Sequence, residues 1–293
     1  MNVFFQNPAL GMGTIKMLHF CKITLWVLGV ILLYSNFAVA FDEQPDTVKY
    51  ESPFYLKPQI DIPTILTSAT LAVIPDLFSR QLSSGDCYPC DKSTVNTWDR
   101  TTINYYNENM ATASNFIVTA LPMAALGISL TSLSDQGGWG AVLQDFVLLA
   151  ETLSISFMSM QIIKNAFDRP RPYMYQDTLV DDRRKHSSYD ISSFYSGHTA
   201  IAFATATSLS YIFSVRHRKN KLKYLLWSAS LCAAASVGLL RVFSGRHFWT
   251  DVTSGAIIGA STGLIVPALH RTVKDSTVSV FSGPGNITLR VIF

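Results

Sequence analysis

Charge is scarce in this chain. Only 15% of its 293 residues are Asp, Glu, Lys or Arg, against roughly 25% in soluble domains, which is too little to give a fold of this length a polar coat. The net charge is only +3, and no long basic tract is interleaved with aromatics. Nucleic acid therefore has no electrostatic footprint here and is set aside as a partner. Cysteine is scarce too, four in all, with Cys21 and Cys232 in apolar runs. The remaining pair, Cys87 and Cys90 in "CYPC", lacks the second pair or the histidines of a zinc site, and lacks the strand and helix of a redox motif. A disulfide stapling a loop outside the cytosol is the expected role. Internal repeats and low-complexity segments are also missing.

Apolar residues, by contrast, make up 48% of the chain, and they come in blocks of about 20, the length that crosses a hydrocarbon core. After a polar stretch at 41–60, the runs cover about 62–78, 110–131, 141–163, 198–215, 222–240 and 252–269. The fold expected is all-α, one integral membrane bundle of about five to six transmembrane helices whose last helices form the core. Segment 1–40 has the layout of a signal peptide or an N-terminal anchor. Lys16 and Lys22 precede the apolar run 23–37, and Ala38-Val39-Ala40 follows as a cleavage pattern. Segment 41–109 holds a short helix and the CxxC loop, 110–270 forms the core, and 271–293 is a tail whose alternation around "SGPGN" predicts a small hairpin. Pro63 and the Pro75-Asp76 pair predict that 62–78 lies in the interface rather than crossing fully.

The turn "RHRKNKLK" at 216–223 packs five Lys or Arg and one His into eight positions, and short basic turns stay cytoplasmic. Counting crossings from it puts 132–140 on the same side and both 164–197 and 241–251 on the opposite one. A plasma-membrane or inner-membrane protein results, with its charged loops on the periplasmic or exterior face. A cleaved signal agrees with this parity only if 62–78 does not cross.

Those two loops carry the chemistry. In "KNAFDRPRP", Lys164 closes an apolar helix and Arg171-Pro172 follows after six residues. Taken alone, snorkelling at a membrane edge and a solvated loop would account for Lys164, Asp168, Arg169 and Arg171. In "FYSGHTA", Ser196, Gly197 and His198 open a helix, where free N–H groups and the dipole favour an anion; a serine there is more often only a cap. In "RVFSGRHFWTD", Arg241 is followed by His247 after five residues and by Asp251 four beyond that. A helical i,i+4 spacing would let Asp251 reach the His247 imidazole, fix its tautomer and stabilise its charged form. Together these loops supply three cations, two histidines, a carboxylate and a helix N-terminus on one face, a kit for binding and cleaving a phosphate ester. Asp145 and Glu151 lie inside an apolar run, where carboxylates are costly, and a buried hydrogen-bonding role is expected of them.

The three stretches resemble the type-2 phosphatidic acid phosphatase family, in its membrane-bound lipid phosphatase branch, whose signature is KxxxxxxRP, PSGH and SRxxxxxHxxxD. Residues 164–172 fit the first motif fully. Tyr195 replaces the proline of the second, and Leu240 the serine of the third. The resemblance implies a membrane phosphatase acting on a lipid phosphate or pyrophosphate through a phosphohistidine, with no metal and no other cofactor. By position, His247 is the nucleophile, Asp251 orients it and His198 protonates the leaving alcohol. Lys164, Arg171, Arg241, Ser196 and Gly197 would hold the phosphoryl oxygens. Alternatives are a lipid phosphotransferase using the same site and a non-catalytic lipid-binding membrane protein. The partners implied are a membrane lipid and the bilayer itself; the sequence names neither the lipid nor an oligomeric state.

Overall fold

The computed structural model describes residues 52–79, 87, 89–134, 138–176, 189–272, 278–283 and 286–291. The signal-like segment 1–40 and Asp177, Asp181 and Asp182 lie outside the described residues. Seven helices stand in chain order among those described: α1 (Pro58–Ser79), the single turn α2 (Thr97–Arg100), α3 (Glu108–Ser129), α4 (Gly138–Ala166), α5 (Gly197–Arg216), α6 (Leu222–Phe243) and α7 (Trp249–Leu269). The tail forms an antiparallel hairpin of β1 (Val278–Gly283) and β2 (Asn286–Val291), paired from Val278 with Val291 to Gly283 with Asn286.

Four helices, α3, α4, α6 and α7, are long and apolar enough to cross a membrane. α5 is not among them, for a physical reason. Its sequence GHTAIAFATATSLSYIFSVR is rich in Ala, Ser and Thr, and twelve of its residues are buried, so it sits inside the bundle with little face left for lipid. Ala202 and Ala206 pack with Ala234 and Val237 of α6, and Leu209 packs with Ala125 of α3 and Leu149 of α4. Its hydroxyls are satisfied locally: Thr205 Oγ1 donates to Ile201 O at 2.8 Å and Ser210 bonds Ser230 of α6 at 2.9 Å. Against α7 the approach is closer still. A Cβ on Gly255 would lie 2.6 Å from Ser196 O, and the glycines at 259 and 263 face the carbonyls of Ala200 and Ala204. Spaced by four, these glycines form the seam that lets two backbones touch, as small residues do between membrane helices.

α1 is longer and more continuous than the prolines in 62–78 suggested. It runs through Pro63 and Pro75 for 22 residues, about 33 Å at 1.5 Å per residue. Ser52 hydrogen-bonds Gln144 at 2.6 Å, and Asp61, nine residues on, lies beside the same buried histidine as Glu151, seven residues beyond Gln144. α1 and α4 therefore run side by side in one direction. The first turn of α1 stands at the level of Glu151, thirteen residues into α4, the segment 52–54 before it lies against Gln144 and Arg216, at the end that carries 216–223, and the helix continues from there toward the opposite end.

Asp145 behaves as a buried structural carboxylate. Its Oδ1 pairs with Arg216 Nε at 2.7 Å and its Oδ2 accepts from Ser132 Oγ at 3.0 Å. That pair ties the end of α5 to the start of α4 and withdraws one cation from the basic turn.

Candidate active site

The three motifs converge at one end of the bundle. Lys164 stands in the last turn of α4, Arg171 on the loop after it, Ser196 and Gly197 at the start of α5, Arg241 in the last turn of α6, and Asp251 in the first turn of α7. His247 sits on the turn between α6 and α7. That turn folds back over the helix end, with Arg246 N and His247 N both donating to Arg241 O, at 3.1 and 3.2 Å. Gly245 makes this possible by taking φ +69° against the carbonyl of Tyr105, a conformation that a side chain would strain.

His247 is 1% exposed and Asp251 0%. The imidazole Nδ1 lies 2.8 Å from Ser193 O and 3.6 Å from Asp251 Oδ2. This corrects the reading that Asp251 holds the tautomer. His247 precedes α7, which begins at Trp249, so the helical i,i+4 geometry does not apply to the pair. A carbonyl accepts only, so Nδ1 carries the proton and Nε2 offers its lone pair. Nε2 faces Arg171 Nη1 at 3.3 Å. Burial holds the imidazole well below its ordinary pKa, and the charges of Arg171, Arg241 and Lys164 push the same way.

Asp251 acts on the site from behind. Its Oδ2 accepts from Ser193 Oγ at 2.6 Å and from Phe248 N at 2.9 Å, and its Oδ1 pairs with Arg169. It thus caps α7 and fixes residue 193, whose carbonyl in turn holds His247. Arg169 also pairs with the fully buried Asp99 at 2.8 Å, and Asp99 accepts from Thr250 N at 3.0 Å and Thr250 Oγ1 at 2.6 Å. Burial alone would raise the Asp99 carboxyl, but the Thr250, Arg169 and Asn96 hydrogen bonds outweigh it and hold the group below its ordinary value. Asp99, Arg169 and Ser193 are thus part of the site's support, and sequence reasoning missed that role. Arg169 stood beside the motif. Asp99, over 150 positions from its partner Thr250, left no signal.

The cations are held by main-chain oxygens. Arg171, 1% exposed, donates from Nε to Tyr189 O at 2.8 Å and from Nη1 to Arg246 O at 3.0 Å, and lies 3.8 Å over the Tyr189 ring. Lys164 Nζ donates to Ser192 O at 3.2 Å. Arg241, 2% exposed, reaches Ser114 Oγ at 3.3 Å, while its Nε has no hydrogen-bond partner among the described residues. A buried donor left open is costly. His198 Nε2 is 2.8 Å from Asn115 Oδ1 of α3.

Ser196 and Gly197, expected to hold phosphoryl oxygens, are also tied into the fold. Ser196 is fully buried, caps α5 at Thr199 N and bonds Thr199 Oγ1 at 2.9 Å. Gly197 has no room for a Cβ because Met160 of α4 packs on it, so its smallness serves helix packing. Tyr195, in place of proline, is a core residue bonded to Ser159 at 2.8 Å. Nothing in the structure explains Leu240. Over the site lies a lid of loop residues in which Cys90, Val95, Ile103, Tyr173, Met174, Tyr175 and Phe248 share a core, and Cys90 is joined to Cys87 by a disulfide.

Residues 145–275 match the family model described as PAP2 superfamily. Similar stretches occur in Probable lipid phosphate phosphatase 4 of Arabidopsis thaliana, 31% identical over 117 residues, which are 33% of this chain and 38% of that protein. Lipid phosphate phosphatase 1 of the same plant is 33% identical over 116 residues, 33% of this chain and 36% of that one. A putative phosphatidate phosphatase of Drosophila melanogaster is 32% identical over 104 residues, 30% and 27% of the two chains. The chain thus spans little more than a third of the length of these relatives. The crystal structure of a transmembrane PAP2 type phosphatidylglycerolphosphate phosphatase from Bacillus subtilis aligns at 19% identity and a TM-score of 0.44, over 71% of this chain and 94% of that one.

Proposed function

Because residues 145–275 match the family model described as PAP2 superfamily, we propose that the chain is a membrane phosphatase that hydrolyses a lipid phosphate or pyrophosphate by way of a phosphohistidine. The observation that carries this reading is His247 itself: a buried neutral imidazole, pinned at Nδ1 by Ser193 O, with Nε2 turned toward a buried guanidinium. That is an activated nucleophile beside an oxyanion clamp.

The chemistry balances with side chains alone. The Nε2 lone pair attacks phosphorus, the bond from phosphorus to the lipid oxygen breaks, and the leaving oxygen takes a proton from His198. Asn115 Oδ1 accepts from His198 Nε2 in the resting site, which keeps a proton on that nitrogen; the acid proton is the second one, carried on Nδ1 once the negative charge of a bound phosphate favours the imidazolium. Water then attacks the phosphoenzyme and gives its proton to His198, and the P–N bond breaks to release phosphate and restore neutral His247. Lys164, Arg171 and Arg241 neutralise the charge on the phosphoryl oxygens, and no metal takes part in the chemical step. The site lies at a membrane end, where a headgroup enters while its acyl chains stay in lipid, on the face opposite the basic turn.

The test is phosphate release by purified protein in detergent from phosphatidic acid, phosphatidylglycerol phosphate and an isoprenoid pyrophosphate. Mass spectrometry of a stopped turnover should find a phosphoryl group on His247. Turnover with the phosphoryl group on another residue, or no turnover on the whole panel, overturns the reading.

A further inference from the structure

A second cluster of ionisable groups stands away from the phosphate site. Asp61 of α1, Glu151 of α4 and His270, just past α7, are all buried, and their ligand atoms lie within 4.8 Å of one another. Glu151 is thirteen residues before Lys164 on α4, about 20 Å along the axis. The cluster therefore shares no group with the catalytic pocket.

Its hydrogen bonding points to a missing cation. His270 Nδ1 is 2.9 Å from Val266 O, so a proton is on Nδ1, and in the neutral ring the Nε2 lone pair faces inward. Nε2 is 3.2 Å from Asp61 Oδ1 and 3.3 Å from Glu151 Oε2. Glu151 Oε2 is buried and has no hydrogen-bond partner. Asp61 is aimed from outside by Lys57 N, which donates to its Oδ2 at 2.7 Å. Three lone-pair donors thus converge in a dry place, and two of them carry negative charge.

A single proton answers this poorly. Charge-assisted N–H···O bonds close to about 2.7–2.9 Å, and here two near-equal separations are both longer. They match instead the edge of a tetrahedron: with ligand bonds of about 2.0–2.1 Å, adjacent donors stand about 3.3 Å apart. The Nδ1 bond to a main-chain oxygen is the outer contact that metal-bound histidines make, and a dication would neutralise two buried carboxylates. We propose that Asp61, Glu151 and His270 bind one divalent cation of the zinc type, with water in the fourth position. The ion would fasten the start of α1 to α4 and to the end of α7, where backbone bonds already join Tyr55 N to His270 O and Thr272 N to Pro53 O.

The experiment uses full-length protein purified in detergent, equilibrated with zinc and then dialysed, with metal content measured by elemental mass spectrometry. One zinc per chain is expected, with a melting temperature that falls on chelation and returns on adding zinc back. Glu151→Gln and His270→Ala should each bind zinc at least 10-fold more weakly, whereas His198→Ala in the catalytic pocket should retain it. Because wild-type binding is itself the readout, misfolding of a variant does not rescue the idea. Absence of saturable zinc on the wild type, or equal retention by Glu151→Gln and His270→Ala, overturns it, whatever the phosphatase assay gives.

Discussion

Nδ1 of His247 donates to the main-chain oxygen of Ser193, 2.8 Å away, while the Asp251 carboxylate stands 3.6 Å off. The carboxylate therefore works through its neighbour: it holds Ser193 Oγ at 2.6 Å, and residue 193 holds the imidazole.

Ser193→Ala should separate these two contributions. It keeps the carbonyl on Nδ1 and removes only the hydroxyl from Asp251. A charged hydrogen bond is worth about 1.5–3 kcal/mol, so kcat should fall roughly 10- to 100-fold, with KM little changed. An unchanged kcat would mean that Asp251 positions the site by another route.

His247→Ala should lower turnover by about 10⁴-fold or more, as loss of a nucleophile does, while leaving the melting temperature within a few degrees. Phosphate release and a thermal shift assay on the same preparation check both halves. Appreciable residual turnover would move the nucleophile elsewhere.

The pH profile follows from the depressed pKa of His247. A base whose pKa is lowered stays unprotonated to more acid pH, so kcat/KM should show no acid limb at the ordinary histidine value of 6.5. Replacing Arg171 by Gln removes a positive neighbour and should move any limb upward. An acid limb already complete at pH 6.5 in the wild type would contradict the burial argument.

Asp99→Ala leaves Arg169 and Thr250 without their buried partner. Breaking a buried charge network from one side costs about 3–5 kcal/mol, so a drop in melting temperature should accompany any loss of rate. Because the Asp99 carboxyl is held below its ordinary value, its stabilisation is complete at neutral pH and is lost only as pH falls through that lowered value.

Sidedness can be read from two engineered cysteines in a chain with Cys21 and Cys232 replaced by serine. Lys92 is exposed near the lid and Asn220 is exposed in the basic turn. In intact cells an impermeant thiol reagent should label Lys92→Cys and spare Asn220→Cys. The reverse pattern would place the phosphate site in the cytosol. Ser188, the position that the sequence suggests for such a label, lies outside the described residues.

The ionisable residues of the candidate site were legible as a set because they recur at helix ends with a spacing that survives in the linear chain. Lys164, Arg171, His198, Arg241, His247 and Asp251 all come to one end of the bundle. Their wiring was not legible. The i,i+4 inference from His247 to Asp251 failed because the helix starts between them, two residues past the histidine, and a four-residue spacing means one turn only inside a helix. Asp99 was invisible because its partners come from loops 70 and 151 positions away. α5 was read as one more apolar run, yet its Ala, Ser and Thr content suits a helix surrounded by other helices. The length of α1 was misjudged because Pro63 and Pro75 were taken as interruptions, whereas the helix continues through both.

That continuous α1 ties two questions about the first fifty residues and the bilayer into one. Residue 52 and the turn 216–223 emerge on the same side, since α1 starts beside them and finishes at the other end. Cleavage after Ala40 would deliver residue 41 to the trans face, and the eleven residues from 41 to 51 are too few for a helix across about 30 Å of hydrocarbon, while an unpaired extended strand does not cross lipid. A removed leader and a cytosolic basic turn are therefore mutually exclusive. If Asn220→Cys is shielded in intact cells, residue 41 stays on the cytosolic side with it, and Phe41→Cys will be shielded too. If Asn220→Cys is labelled, cleavage after Ala40 is compatible with the fold, and the candidate site faces the cytosol.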